Sequence, residues 1–265
     1  MDKLVGTVKN ELTFENVLTT AMKTPGVKIN RSQFLRKELI KYCPESQIIQ
    51  AIKYNPAKAG ISREMINKIS KSVIDFETTK VTGLSIAASL PGGIAAVGAA
   101  AADITSYFVF ILRTLQELSY LYGFDEFDFS EDNVDAETMN FITIFLGVMF
   151  GVQGTSAALQ KIANNLAKQV SKKLPQKALT KGTIYPVVKK IATKSGNKMT
   201  KQIFADSLAS AIPIAGGLLS GGLTYATFKP ACMKLRKNLM SYTLSDPEFY
   251  KTNVDDIIDV FDESL

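Results

Sequence analysis

The sequence predicts an all-α protein, a single-domain helical bundle with glycine-rich apolar helical hairpins. Three observations carry that prediction. Apolar residues recur at spacings of three and four over most of the chain. No β-branched alternating run bounded by hairpin turns signals a strand. Three long stretches, 81–102, 138–160 and 207–228, contain no charged residue. With 265 residues, 46% of them hydrophobic and 21% charged, the chain is long enough to bury a substantial core. No composition break divides it, so residues 1–265 read as one domain with an acidic tail over 246–265.

Taken in order, the first third reads as short helices over 14–22, 31–42 and 46–54. A cap region at Asn30, Arg31 and Ser32 precedes Phe34, Leu35 and Leu39. Pro25-Gly26 and Asn55-Pro56 are turn signals. The first charge-free stretch is interrupted by Pro91, Gly92 and Gly93. In 104–122 the residues Ile104, Phe108, Ile111, Leu115, Leu118 and Tyr122 repeat with helical period, and Gly123 closes that helix at C′. In 159–174 the run Leu159, Ile162, Ala163, Leu166 and Val170 lines one face, with Lys161, Lys168, Lys172 and Lys173 largely on the other. The third charge-free stretch is interrupted by Pro213, Gly216, Gly217, Gly221 and Gly222. It echoes the first, SLPGGIAAVGAA against SAIPIAGGLLSGG, each with a proline ahead of paired glycines. Gly147 and Gly151, like Gly217 and Gly221, have the spacing that lets helices approach closely.

Each charge-free stretch has 22 or 23 residues, enough to cross a bilayer as a helix. Their content of Ala, Ser, Thr and Gly, with internal prolines, weakens insertion. Buried hairpins inside a bundle and hairpins that enter a membrane are both open on this pattern. The amino terminus MDKLVGTVKN lacks the apolar core of a signal peptide, and the two cysteines, Cys43 and Cys232, suit a reducing compartment. The expected location is cytoplasmic.

The net charge of +6 hides a blocked distribution. Residues 125–137 hold seven acids and no base, 161–201 eleven lysines and no acid, and the last twenty residues seven acids against Lys251. Such blocks are solvated faces or surfaces for a partner of opposite sign. The lysine block has no arginine and one aromatic, Tyr185, which suits neither base readout nor single-strand stacking. Nucleic acid is therefore not the expected partner. A lysine-rich helical surface beside glycine-rich apolar helices fits an anionic membrane face better. Lys168, Lys172, Lys173, Lys189 and Lys190 are the lipid- or partner-facing candidates.

The absence of histidine excludes Ser-His-Asp and Cys-His nucleophiles and every His-ligated metal. A calcium loop starting at Asp128 fails, because Asn133 stands where glycine belongs and Met139 where the bidentate glutamate belongs. The segment from Gly216 to Gly222 lacks the lysine of a phosphate loop, and no GxSxG elbow occurs. No metal, cofactor or catalytic residue is expected. Charges isolated among apolar residues stand out instead. Asp103 precedes nine uncharged residues, and Arg113, Gln116 and Glu117 follow on the same helix. A buried carboxylate needs a partner, so these four are expected to form a core polar network. The enzymatic alternative pairs Asp103 with Glu117 in one solvated cleft.

The segment LPGGIAAVGAAAADITSYFVFILRTLQELSYLYGF resembles the signature of the EcsC family. The residues that carry the resemblance are Pro91, Gly92, Gly93, Asp103, Arg113, Gln116, Tyr122 and Gly123. A second element matches at Ile212, Pro213, Gly216, Gly217, Gly221 and Gly222. The resemblance covers about residues 70–240, and the acidic loop 125–137 departs from it. It implies a helical, membrane-associated protein of the kind encoded beside an ABC exporter, and it transfers no catalytic residue. The function expected is that of a non-enzymatic accessory protein, peripheral at the inner face of a bacterial cell membrane, contacting anionic lipid or a membrane transporter. An effector whose glycine-rich hairpins insert and permeabilise a bilayer is the alternative.

Overall fold

Residues 104–122 dictate the architecture. In the computed structural model, which describes residues 14–88, 98–127, 136–172 and 221–252, side chains on every side of this segment are buried. A helix apolar all round must be wrapped by others. The described elements are α1 (Phe14–Lys23), α2 (Arg31–Leu39), α3 (Glu45–Lys53), α4 (Arg63–Ala88), α5 (Gly98–Leu121), α6 (Ala136–Phe150), α7 (Thr155–Ser171) and α8 (Gly221–Leu239). A 3-10 turn at Thr243–Ser245 follows, and residues 247–252 are helical. The fold is an all-α bundle in which α1, α2, α4 and α8 pack directly on α5.

Local sequence accounts for the element ends. Pro25 and Gly26 occupy the centre of a turn closed by Val27 N–H to Thr24 O at 3.1 Å, with Gly26 at φ 83°. Asn30 caps α2 by accepting from Gln33 N–H at 2.9 Å. Helix α2 stops at Leu39, three residues short of the expected end, because Pro44 caps α3 and disfavours helix just ahead of it. Gly123, at φ 99°, ends α5 as expected. Phe124 N–H reaches Ser119 O at 2.9 Å and Gly123 N–H reaches Tyr120 O at 3.2 Å, the paired bonds of a Schellman motif.

Helix α4 is longer than the short helices expected before residue 81. Its 26 residues run through the border of the first charge-free stretch without a break, spanning about 39 Å at 1.5 Å per residue. Ile66, Ile69, Val73, Ile74 and Val81 line its inner face, which buried Ser70, Glu77 and Thr78 share. Ser70 Oγ lies 2.9 Å from Tyr122 Oη, and Glu77 faces Glu117, so α4 runs antiparallel to α5. Arg236 Nε donates to Ser70 Oγ at 2.9 Å and Lys229 pairs with Asp75 at 2.7 Å, so α8 is antiparallel to α4 and parallel to α5. The bundle therefore has two poles. At the first, α4 ends at Ala88 while α5 and α8 begin at Gly98 and Gly221. At the second, Gly123, Asn55 and Leu244 meet, and Asn55 Nδ2 donates to Tyr250 Oη at 2.9 Å.

The second charge-free stretch, 138–160, is not one helix. It breaks at a corner where Gly151 and Gly154 take φ of 82° and 85°, joining α6 to α7. Among the described residues no helix is long and apolar enough to cross a membrane. Phe124, Phe127, Phe141 and Phe145 seat α6 on the loop after α5, with centroid separations of 4.9 Å for Phe141–Phe145 and 5.1 Å for Phe124–Phe145.

Of the glycine pair in α6 and its corner, Gly147 is the one that permits close approach. A Cβ there would fall inside van der Waals distance of Thr155 Cγ2 and 3.0 Å from Thr155 Cβ. Thr155 cannot swing away, because its Oγ1 donates to Val152 O at 2.7 Å. Gly147→Ala is expected to cost about 1–3 kcal/mol through overpacking. Thr155→Ser, which removes the clashing methyl, should recover part of that loss in the double variant. Chemical denaturation of the four proteins checks both statements.

Candidate functional site

Three groupings of polar and exposed side chains stand out from the apolar packing. The first is a clasp between α5 and the loop after α1. Gln116 is fully buried; its Nε2 donates to Val27 O at 2.8 Å and Leu112 O at 2.9 Å, and its Oε1 accepts from Ile29 N–H at 3.0 Å. Arg113 donates to Gly26 O on the same loop. Gln116 and Arg113 thus hold backbone of the loop, and Gln116 Oε1 also accepts from Tyr120 Oη of the same helix at 3.4 Å.

Arg31 continues the clasp. Its buried guanidinium donates to Phe124 O at 3.1 Å, Ile52 O at 2.7 Å, Ala51 O at 3.3 Å and Tyr54 O at 3.2 Å. Three of those carbonyls belong to the last turn and end of α3, where a cation also complements the helix dipole. Burial pulls this guanidinium below its ordinary range, and the nearby Asp125, Tyr120 and Glu126 oppose that shift. Its own backbone N–H goes to Glu126 Oε2 at 2.8 Å.

The second grouping is a pair of buried carboxylates. Glu117 on α5 is 6% exposed and Glu77 on α4 is 1% exposed. Each has one carboxylate oxygen, Oε2, with no hydrogen-bond partner. Glu77 Oε1 accepts from Lys80 Nζ at 2.9 Å. Burial first, then the charge of Glu77, pushes the Glu117 carboxyl up to about 8, against the pull of Arg113, Lys80 and Lys37. Cys232 on α8, fully buried, completes the cluster; burial and the two glutamates push its thiol well above its ordinary range, so it is no nucleophile. Glu117 Oε2 is sealed from solvent in this cluster. The backbone of Asp103 lies in the first turns of α5, and its side chain is outside the described residues, as are Pro91, Gly92, Gly93, Pro213, Gly216, Gly217, Lys173, Lys189, Lys190 and the acidic loop 128–135.

The third grouping is on the surface, from the middle of α4 toward the first pole. Phe76 and Leu84, 58% and 56% exposed, are spaced by eight residues along α4 with Lys80 between them. Lys80 Nζ lies 5.0 Å from the Phe76 ring centroid and 5.6 Å from that of Phe110, and Lys37 of α2 sits 6.0 Å over Phe76. On the other flank of α4, Tyr225 of α8 is 50% exposed, with Lys229 at 5.6 Å from its ring. Gly221 and Gly222 open α8 one turn ahead of Tyr225. The described part of the lysine block lies elsewhere. Lys161, Lys168 and Lys172 are exposed on α7, whose last carbonyls, Val170 O and Ser171 O, accept from Lys58 near the second pole.

Set against protein-family models, curated proteins and solved structures, the chain finds no match. The site must therefore be read from its own chemistry. Sequence reasoning missed Glu77 and Arg31. Glu77 shares the spacing of Val73, Ile74 and Val81, which was a signal that it lies on the inner face of α4.

Two outcomes follow. Gln116→Met keeps the length of the side chain but strands Val27 O and Ile29 N–H in the core. A loss of about 2–4 kcal/mol is expected, from one or two buried groups left unsatisfied, measured by chemical denaturation. The second concerns pH. Because the folded-state carboxyl of Glu117 titrates near 8 and the unfolded one near 4.5, folding takes up a proton between those values. Stability contributed at this position is greatest below pH 4.5 and falls by about 1.4 kcal/mol per unit until the folded carboxyl ionises. Glu117→Gln should remove that slope in denaturation curves recorded across the window.

Proposed function

We propose that this chain is a non-enzymatic, membrane-associated accessory protein that docks its first pole on an anionic bilayer or on a membrane transporter. The observation that carries the reading is the exposed set Phe76 and Leu84 on one flank of α4 and Tyr225 on the other, with Lys37, Lys80 and Lys229 beside their rings, between the middle of α4 and the first pole. Aromatic and aliphatic side chains beside lysines match a headgroup boundary, where the rings meet acyl chains and the ammonium groups meet phosphate. The resemblance of the chain to the EcsC family supports the same setting. Glu77 and Glu117 are almost wholly buried, which favours the non-enzymatic reading over the alternative that uses Glu117.

Apolar contact and charge are divided in this reading. The first pole supplies the apolar part. Lys168, Lys172, Lys173, Lys189 and Lys190 supply further long-range attraction, each lysine near an anionic surface contributing about 1 kcal/mol.

Flotation of the protein with neutral and anionic vesicles at low and high salt tests this division. Wild type should float with anionic vesicles. Replacing Lys172, Lys173, Lys189 and Lys190 by Gln should lower binding most at low salt, since screening already removes that attraction at high salt. Replacing Phe76, Leu84 and Tyr225 by Ser should lower the salt-resistant part. Absence of flotation under every condition would sink the membrane reading.

A further inference from the structure

Near the second pole, α7 ends beside the segment that follows α3, where Lys58 donates to Val170 O and Ser171 O. Tyr250 packs on both, clustering with Ala57 and Val170, and half-buried Tyr54 and Phe249 lie against the same cluster. Exposed lysines flank this point on either side: Lys53 in the last turn of α3, Lys168 and Lys172 at the end of α7. Among the described residues none of these three has an ion-pair partner. Helix α7 itself carries no acid. Acids on the neighbouring elements are already engaged, Glu45 with Arg36, Asp246 with Arg63 and Glu248 with Lys251. Apolar surface adjoins the lysines. Ile49 is 48% exposed and shares a face of α3 with half-buried Ile52 and with Lys53.

The sequence that follows Thr252 has the complementary character. Residues 253–265 carry five acids and no base. Among those acids Val254, Ile257, Ile258 and Phe261 stand at positions i, i+3, i+4 and i+7, the spacing of one apolar stripe. We propose that this acidic segment docks on the lysine-flanked face of its own chain, its acids against Lys53, Lys168 and Lys172 and its Ile257 and Phe261 against the apolar strip of α3.

Charge and position both favour this occupant. The segment starts three residues after Tyr250, which already sits at the face, and thirteen residues reach about 45 Å when extended, so both flanks lie within range. Attachment beside the face gives it a local concentration that a free acidic peptide does not match. Docking would cover Lys168 and Lys172, two of the lysines that the membrane reading assigns to long-range attraction. Resting on that reading, the segment competes with an anionic surface for the same ammonium groups.

Carbodiimide coupling of carboxylates to amines in the full chain, followed by mapping of the joined peptides, tests the docking. Wild type should join acids of 253–265 to Lys53, Lys168 or Lys172 within one copy, in preference to the exposed Lys23 and Lys71. The double variant Ile257→Ser, Phe261→Ser keeps all five acids and should lose most of those links. Links spread evenly over the exposed lysines overturn the docking. Links found only between copies assign the face to a second chain and overturn docking within one.

Vesicles of phosphatidylcholine and phosphatidylserine test the competition. Because the double variant leaves net charge unchanged, a rise in its partition reports uncovered lysines, up to about fivefold for each. Mapped links with equal partition of the two proteins overturn the competition. If the links map as expected but neither protein binds vesicles at any salt concentration, the membrane reading and the competition fall while the docking stands.

Discussion

Between Ile104 and Tyr122, α5 offers water almost nothing it can hydrate, and the other described helices answer to that constraint. An apolar cylinder has to be covered on all sides, which takes four partners; α1, α2, α4 and α8 supply them. Covering a helix this completely also buries the polar groups it carries, so each needs a partner from the surrounding elements. Gln116 finds two peptide groups on the loop after α1. Tyr122 finds Ser70 and Asn67 on α4, and Arg236 of α8 joins them through the same serine. These bonds fix the register of α5 against each neighbour, something apolar contacts alone specify weakly.

Glu117 is the place where this scheme is incomplete. A bundle selected only for stability would carry an apolar residue there, because a buried pair of acids with two unsatisfied oxygens costs more than packed methyl groups. The surrounding cations Lys80, Lys37 and Arg113 come from three different helices and do not cancel the burial, since the Glu117 carboxyl still stands near 8. Local conflict between packing and charge is the mark of a position held for something other than the fold.

Much of the architecture was legible in the sequence where a rule is local. The period of α5, its closing Gly123, the turn at Pro25-Gly26 and the cap at Asn30 all depend on residues within a few positions of one another. What escaped depends on distance in sequence. Arg31 stands in a cap region and reads as an ordinary basic residue, yet its partners are the carbonyls of residues 51, 52, 54 and 124. Glu77 lies between Asp75 and Lys80 and reads as surface charge, although its phase on α4 turns it inward. Charge-free runs misled in another way. They mark where charge is excluded, which is a property of burial, and helix ends obey backbone rules instead. Hence α4 crosses the border of one run, and the run over 138–160 is divided by two glycines with positive φ.

The spatial relation of the poles bears on how such a protein could meet a membrane. The end of α4 and the starts of α5 and α8 lie at one pole, while the exposed lysines of α7 stand near the other. A flat bilayer met end-on by the bundle, along the 26 residues of α4, touches one pole and not the other. Lys37, Lys80 and Lys229, which lie beside the exposed Phe76 and Tyr225, are each paired with a carboxylate, those of Glu38, Glu77 and Asp75. The lysines of α7 then act at long range on the approach, or face a second partner from the opposite side. The wrapping of α5 is what holds the first pole and the lysine-bearing α7 apart.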